Sequence, residues 1–227
     1  REIWPILTLS ALILGLIIFE PDLGTAVVVV TSGFLIYFVN GAPLFYLSII
    51  ALLGGLSGSL LIWMSPYRRQ RLLTFFDPTD DPLGASYHIR QALLAIGSGG
   101  LWGLGLGKSR QKYEYLPATT TDSIFAVIAE EAGFFGSLLV ISAFLFLTWR
   151  GIKIAKEAPD RFGQLLATGI VSWITIQALI NFAAMVALVP LTGVPLPFIS
   201  YGGSSMVTSL TAMGILLNIS KQRIKRK

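Results

Sequence analysis

The chain contains no cysteine and a single histidine, His88. The first absence excludes a disulfide framework, Cys-ligated zinc, iron–sulfur clusters and thiol nucleophiles. The second excludes a metal centre built from several histidines. Charge is scarce as well: Asp, Glu, Lys and Arg make up 13% of the 227 residues, against roughly 25% in a soluble domain. With 54% hydrophobic residues and a mean hydropathy of +0.72, this composition excludes an ordinary water-soluble globule.

The few charges are clustered. Uncharged runs extend over Ile3–Phe19, Leu23–Tyr67, Ala132–Trp149 and Phe162–Ser220, and about 18 apolar residues are enough to cross a bilayer. The second and fourth runs are long enough for two crossings each. Each also holds a breaker near its middle, Asn40–Pro43 in one and Pro190–Ser205 in the other. The sequence therefore predicts an all-α, polytopic membrane helix bundle. Six transmembrane helices are expected, over Trp4–Phe19, Thr25–Phe38, Pro43–Met64, Ser123–Trp149, Gly163–Val189 and Ser205–Ile219. It reads as a single membrane domain over 1–227, with a long extracellular loop at 65–122. The first apolar run lacks the polar end of a cleavable signal peptide, and the missing start methionine suggests a fragment.

The tail carries Lys221, Arg223, Lys225, Arg226 and Lys227 with no acid, which places it in the cytoplasm by the positive-inside rule. Counting back, Arg1, the Asn40–Pro43 turn and the basic loop Arg150–Arg161 fall on the same side. The other cations, Arg68, Arg69, Arg71, Arg90, Lys108, Arg110 and Lys112, sit in the one long loop on the outer side. Two readings stand: a bound anion, or contacts with outer-leaflet headgroups and with the loop's own Asp77, Asp80, Asp81 and Glu114.

Within that loop, Gln91–Gly107 is uncharged and holds Gly97, Gly99, Gly100, Gly103, Gly105 and Gly107. So many glycines disfavour a lipid-exposed helix. Tyr87–Ile96 is expected to be a short interfacial helix, and the glycine stretch irregular backbone against a protein-lined cavity. The run lacks the strand context of a dinucleotide-binding loop.

Three segments carry residues with chemical potential. Glu20-Pro21-Asp22-Leu23-Gly24 reads as a tight turn in which Asp22 caps the next helix. The alternative is two carboxylates helping to hold a divalent cation. Asp122 falls where a membrane helix begins, with Glu130 and Glu131 deeper. An ionisable group at such depth is costly and points to function, although Asp is also a favoured N-cap. Glu130 and Glu131 are expected to hydrogen-bond between helices. Finally, Pro190–Ser205 contains three prolines and Gly202-Gly203. It reads as broken backbone shaping a cavity, with no basic partner that would activate Ser200 or Ser204.

The stretch Pro195-Leu196-Pro197-Phe198-Ile199-Ser200-Tyr201-Gly202-Gly203-Ser204-Ser205 resembles the hallmark of the SEDS family of bacterial shape, elongation, division and sporulation proteins. The Glu20–Gly24 turn, Asp77-Pro78 with Asp81-Pro82, and Thr121-Asp122 through Glu130-Glu131 fall in the family's order. The resemblance covers almost the whole chain. Gly105–Lys112 with Tyr115-Leu116-Pro117 is more similar to the division-type, FtsW-like members and their sporulation relatives than to the elongation type. Family members usually have about ten transmembrane helices, and this chain resembles the later six. The family's Glu-x-His-Thr-Asp-Phe reads Ala118-Thr119-Thr120-Thr121-Asp122-Ser123 here.

The resemblance implies a peptidoglycan glycosyltransferase that polymerises lipid II, at the bacterial cytoplasmic membrane and at the division septum. A lipid II flippase and a non-catalytic division scaffold are the alternatives. Asp122 then matches the catalytic acid and Glu114 a second acid implicated in activity. Arg68, Arg69, Arg71, Lys108, Gln111 and Lys112, with Ser200, Tyr201, Gly202 and Gly203, are the candidates for binding the lipid diphosphate substrate. Mg²⁺ or Mn²⁺ is a candidate cofactor, with no ligand set assigned. The implied partners are a class B penicillin-binding protein transpeptidase, other division proteins and the membrane, and not nucleic acid. The small residues Gly54, Gly55, Ser57, Gly58 and Ser59 are the candidate surface for the transpeptidase's helix.

Overall fold

The computed structural model describes residue 15 and residues 22–76, 85–109 and 118–222. Among these residues all regular structure is helical: α1 (Leu23–Val39), α2 (Leu44–Met64), α3 (Pro66–Phe76), α4 (Ala85–Gly99), α5 (Ile124–Lys156), α6 (Arg161–Met185) and α7 (Gly203–Lys221). The chain is a polytopic membrane helix bundle. By length and hydropathy α2, α5 and α6 suffice to cross a bilayer, while Gly24–Val39 is a shorter apolar helix. Five expected spans coincide with helices, and Trp4–Phe19 lies outside the described residues apart from Gly15.

Three boundaries differ from expectation. The segment after Met64 forms the helix α3, which three arginines had masked as loop. At the far end of the bundle α5 runs on to Lys156, with Lys153 and Lys156 in its last turn, where cations favour the helix dipole. The connection to α6 is correspondingly short. α6 stops at Met185, before the expected Val189. There Ala187 takes a left-handed φ of 56°, Ala187 N–H donates to Ala184 O and Leu188 N–H to Ala183 O. This is a glycine-type helix stop made with alanine.

The core is centred on α6. Half of its most apolar window is buried inside the molecule, against 6% for α2. Ala167, Ile174, Ala178 and Phe182 of α6 pack with Ala92 and Ala95 of α4, Phe125, Ala126 and Phe144 of α5, and Leu216 of α7. α1 lies along α6. At the far end Arg161 ties the two, donating to Asn40 Oδ1 and Val39 O. α2 stands at the periphery, with Leu52, Leu53, Leu56, Leu60 and Trp63 exposed, as a lipid-facing helix that is apolar all round requires. Gly54, Gly55 and Gly58 have open space around them.

Candidate site at the Asp122 end of the bundle

α5 is broken one-third of the way along. Gly133 sits at φ 68°, ψ −163°, a region essentially open to glycine alone. The glycine-rich segment after α4 fills the break. Leu104 and Gly105 N–H donate to Glu130 and Glu131 carbonyls, and Phe134 and Phe135 N–H donate to Gly100 and Leu101 carbonyls. A Cβ at Gly103 would lie 2.1 Å from Glu131 O, and one at Gly133 2.3 Å from Gly103 N. The expected irregular backbone against protein is therefore a loop inserted into a helix. It carries Ser109 inward, where its hydroxyl donates to Glu130 Oε2 at 2.5 Å in a buried position. Glu130 thus meets a loop hydroxyl, where a helix–helix bond was expected.

Above the break, α5 starts with Ser123 as N-cap residue, so Asp122 precedes the helix and does not cap it. The turn 121–123 is clamped from several sides. Ser200 Oγ donates to Thr121 O at 2.5 Å and accepts from Leu196 N–H at 2.7 Å. Tyr201 N–H donates to Thr120 O. Asn181 of α6 donates through Nδ2 to Asp122 O at 2.7 Å and to Val194 O at 2.9 Å. One turn earlier, Gln177 Nε2 donates to Pro195 O. The Asp122 side chain accepts from Thr121 Oγ1 at 2.6 Å, and Oδ2 faces Gly193. Ala118 and Phe198, on the two sides of this region, hold left-handed φ values of 52° and 66°, each a cost of order 1 kcal/mol for a residue with a side chain.

From α4, His88 Nε2 lies 2.5 Å from Ser123 Oγ. From α3, the Arg71 guanidinium stacks over Tyr67 and donates to Leu191 O at 3.2 Å. Burial holds the His88 pKa below its ordinary value, Asp122 opposes this, and Arg71 adds to the lowering.

The candidate residues are thus sorted. Arg71 and Asp122 both act on His88. Arg68 turns back to Leu61 O of α2 and Arg69 lies over Trp63, while Lys108 is exposed on the inserted loop. Ser200 is buried and its hydroxyl is engaged on both sides, so it braces the Thr121–Asp122 turn. Tyr201 is 81% exposed and free to contact one. Gly203 has open space around it, and Gly202 is extended at φ 176°. Both carboxylate oxygens of Asp22 accept from Thr25, by N–H and Oγ1, which makes Asp22 a helix cap. Glu114, Gln111, Lys112, Arg110, Glu20, Asp77, Asp80 and Asp81 lie outside the described residues. Among the described residues no three His, Asp or Glu side chains come together.

Sequence reasoning missed His88, Asn181, Gln177 and Gly133. Gln177 and Asn181 had a visible signal, two amides four residues apart in an apolar membrane helix.

The architecture defines a polytopic helical membrane protein whose polar groups converge on one carboxylate at one end of the bundle. The comparisons are specific about which. The chain belongs to the cell cycle protein family of FtsW, RodA and SpoVE, whose profile matches residues 1–225. It is 47% identical over 207 residues to stage V sporulation protein E of Bacillus subtilis, covering 91% of this chain and 56% of that protein. It is 44% identical over 228 residues to the probable peptidoglycan glycosyltransferase FtsW of Nitrosomonas europaea, covering 98% and 58%. The fold matches a chain of a peptidoglycan synthase complex that coordinates polymerization and crosslinking, at a TM-score of 0.76 and 29% identity over 97% of this chain and 62% of that one. It also matches the rod shape determining protein RodA of Thermus thermophilus, at a TM-score of 0.64 and 29% identity over 99% and 59%. The chain spans a little over half the length of the curated relatives it matches.

Proposed function

We propose that this chain carries the catalytic acid of a peptidoglycan glycosyltransferase that polymerises lipid II on the outer face of the bacterial cytoplasmic membrane, at the septum. The observation that carries the reading is the convergence on Asp122. The groups that bond the turn around it, Ser200, Asn181 and Tyr201, grip backbone carbonyls. Among the described residues the carboxylate takes one hydrogen bond, from its neighbour Thr121, and retains acceptor capacity.

Diphosphate is a good leaving group, so the reaction asks for a proton acceptor and for positive charge near the departing oxygen. The acceptor sugar hydroxyl oxygen bonds to the anomeric carbon of the donor as that carbon's bond to the diphosphate oxygen breaks. Undecaprenyl diphosphate leaves with the electron pair, and the hydroxyl proton passes to Asp122. Arg71 supplies the positive charge, with Lys108, Lys112 and Gln111 completing the approach and Glu114 assisting as the second acid. A Mg²⁺ or Mn²⁺ cofactor would draw donors from outside the described residues. Crosslinking falls to a partner, a class B penicillin-binding protein, recruited with other division proteins. The open small-residue face of α2 is the surface proposed for its membrane helix.

Asp122→Asn in the intact protein tests the reading. Asn keeps the shape and the Thr121 bond but not the proton affinity, so polymer formation from lipid II in detergent should fall by at least about a hundredfold with unchanged thermal stability. Polymerisation near the wild-type rate would remove Asp122 from the role. Polymerisation in detergent needs no second compartment, which separates this function from transport.

A further inference from the structure

The helix cap at the start of α5 is arranged in an unusual way. A serine at this position ordinarily turns its hydroxyl onto a free N–H of the first helical turn, a contact worth about 1 kcal/mol. Ser123 makes no side-chain capping bond. Its backbone does what an N-cap backbone does, with its carbonyl accepting from Ala126 N–H and its own N–H donating to Ala118 O. The hydroxyl, fully buried, is turned to His88 Nε2. This is the only histidine in the chain, and it stands on a helix whose other end leads into the loop inserted in α5.

We infer that His88 is a positioning residue of the proposed glycosyltransferase site, acting through Ser123 on the turn that carries Asp122. The inference rests on the function proposed above. Two of the clamps on this turn, from Ser200 and Asn181, hold backbone carbonyls of Thr121 and Asp122. His88 holds the next residue by its side chain, from the opposite element, and is the clamp that titrates. The charged groups acting on it are Asp122 from the turn before α5 and Arg71 from α3. Arg90, on its own helix, is exposed. Neutral, the imidazole meets Ser123 Oγ as acceptor or as donor, according to its tautomer. Protonated, it has only donors, so it can no longer accept from the hydroxyl, and it becomes a cation acting on Asp122. A nearby positive charge makes a carboxylate a weaker base. The site is therefore built to work with His88 neutral, and acid should inactivate it through this residue.

The experiment is lipid II polymerisation by the intact protein, with kcat and KM followed across pH for wild type, His88→Ala and His88→Gln. His88→Ala should lower kcat by about tenfold or more with KM nearly unchanged, the pattern of a group that matters at the reacting atoms and not in substrate binding. His88→Gln, which can meet Ser123 without titrating, should recover most of kcat near neutral pH and shift the acid limb of the profile to lower pH. An acid limb for His88→Gln that coincides with the wild type overturns the inference, and it decides the matter even where the alanine variant fails to fold. Unchanged kcat in a folded His88→Ala overturns it equally. No polymer from the wild type overturns the proposed function, and this role with it. Polymer from the wild type with silent His88 variants overturns this role alone.

Discussion

Replacing Gly133 with alanine should damage this protein more than any other single methyl added to α5. The native φ of 68° and ψ of −163° cost a residue with a side chain about 1–3 kcal/mol. The new Cβ would stand 2.3 Å from Gly103 N, 2.7 Å from Leu101 O and 2.7 Å from Trp102 C, all backbone atoms, so the inserted loop has to leave. Its departure breaks four hydrogen bonds between loop and helix. A straightened α5 regains two of these as ordinary helical bonds of Phe134 and Phe135. The loop's own N–H and carbonyl groups at 104, 105, 100 and 101 stay without partners, at roughly 1 kcal/mol each or more when buried. The four groups together cost about 4 kcal/mol or more, a large part of a typical 5–15 kcal/mol of stability. Thermal unfolding in detergent should show a fall of about 10 °C or more, and amide exchange at Leu104 and Gly105 should accelerate. Gly97→Ala is the matched control. It adds the same methyl within α4 into open space and should stabilise by about 0.5–1 kcal/mol. A Gly133→Ala protein as stable as that control would refute the reasoning, because the break would then not depend on glycine.

Asn181→Leu removes the donor to Asp122 O and Val194 O and with it a buried Oδ1 that has no partner. The net loss should be about 1–3 kcal/mol by thermal unfolding, with polymerisation falling further than stability, and equal activity per folded molecule would show that Asp122 needs no such clamp. Arg71→Gln should weaken the use of lipid II by about tenfold, equivalent to about 1.4 kcal/mol, which a substrate titration would reveal; an unchanged KM and kcat would leave the loop cations as headgroup contacts. The pKa of His88 is lowered in the folded state, so its contribution to stability is fully present above about pH 6.5. As pH falls below that value the unfolded chain binds the proton first, and stability declines until the folded pKa is passed. Unfolding temperatures should therefore drop on acidification across this window for the wild type and drop less for His88→Gln, and identical slopes would contradict the assignment.

Much of the architecture was legible because lipid forces a simple pattern. Uncharged runs of the right length, divided by Asn40–Pro43 and by the prolines after Val189, located α1, α2, α5, α6 and α7 to within a few residues, α5's extension to Lys156 excepted. The errors have local causes. α3 carries a proline and three arginines, which read as loop although its opening proline is well placed for a first helical turn. Ala187 ends α6 in a conformation that sequence associates with glycine. Gly133 lies among helix-forming neighbours, and its break exists only because another segment supplies the missing hydrogen bonds. At the site, Asp122 was visible as an acid at a helix start, while the convergence of its clamps was not. Asn181, Ser200 and His88 lie far from it in sequence, and nothing in composition or spacing brings them to one turn. Three arginines grouped by their shared loop proved to point in different directions, because α3 sends Arg68 and Arg69 toward α2 and only Arg71 toward Leu191.

The loop inserted at Gly133 also bears on electrical tightness. A helix interrupted inside a bilayer exposes backbone groups that would ordinarily recruit water, and water beside carboxylates such as Glu130 and Glu131 offers protons a path. Here four of the interrupted groups are taken by the glycine-rich segment, and Glu130 is met by Ser109. The break in α5 therefore needs no water to satisfy these four backbone groups, and a helix can be discontinuous inside the bilayer without opening a leak at those groups.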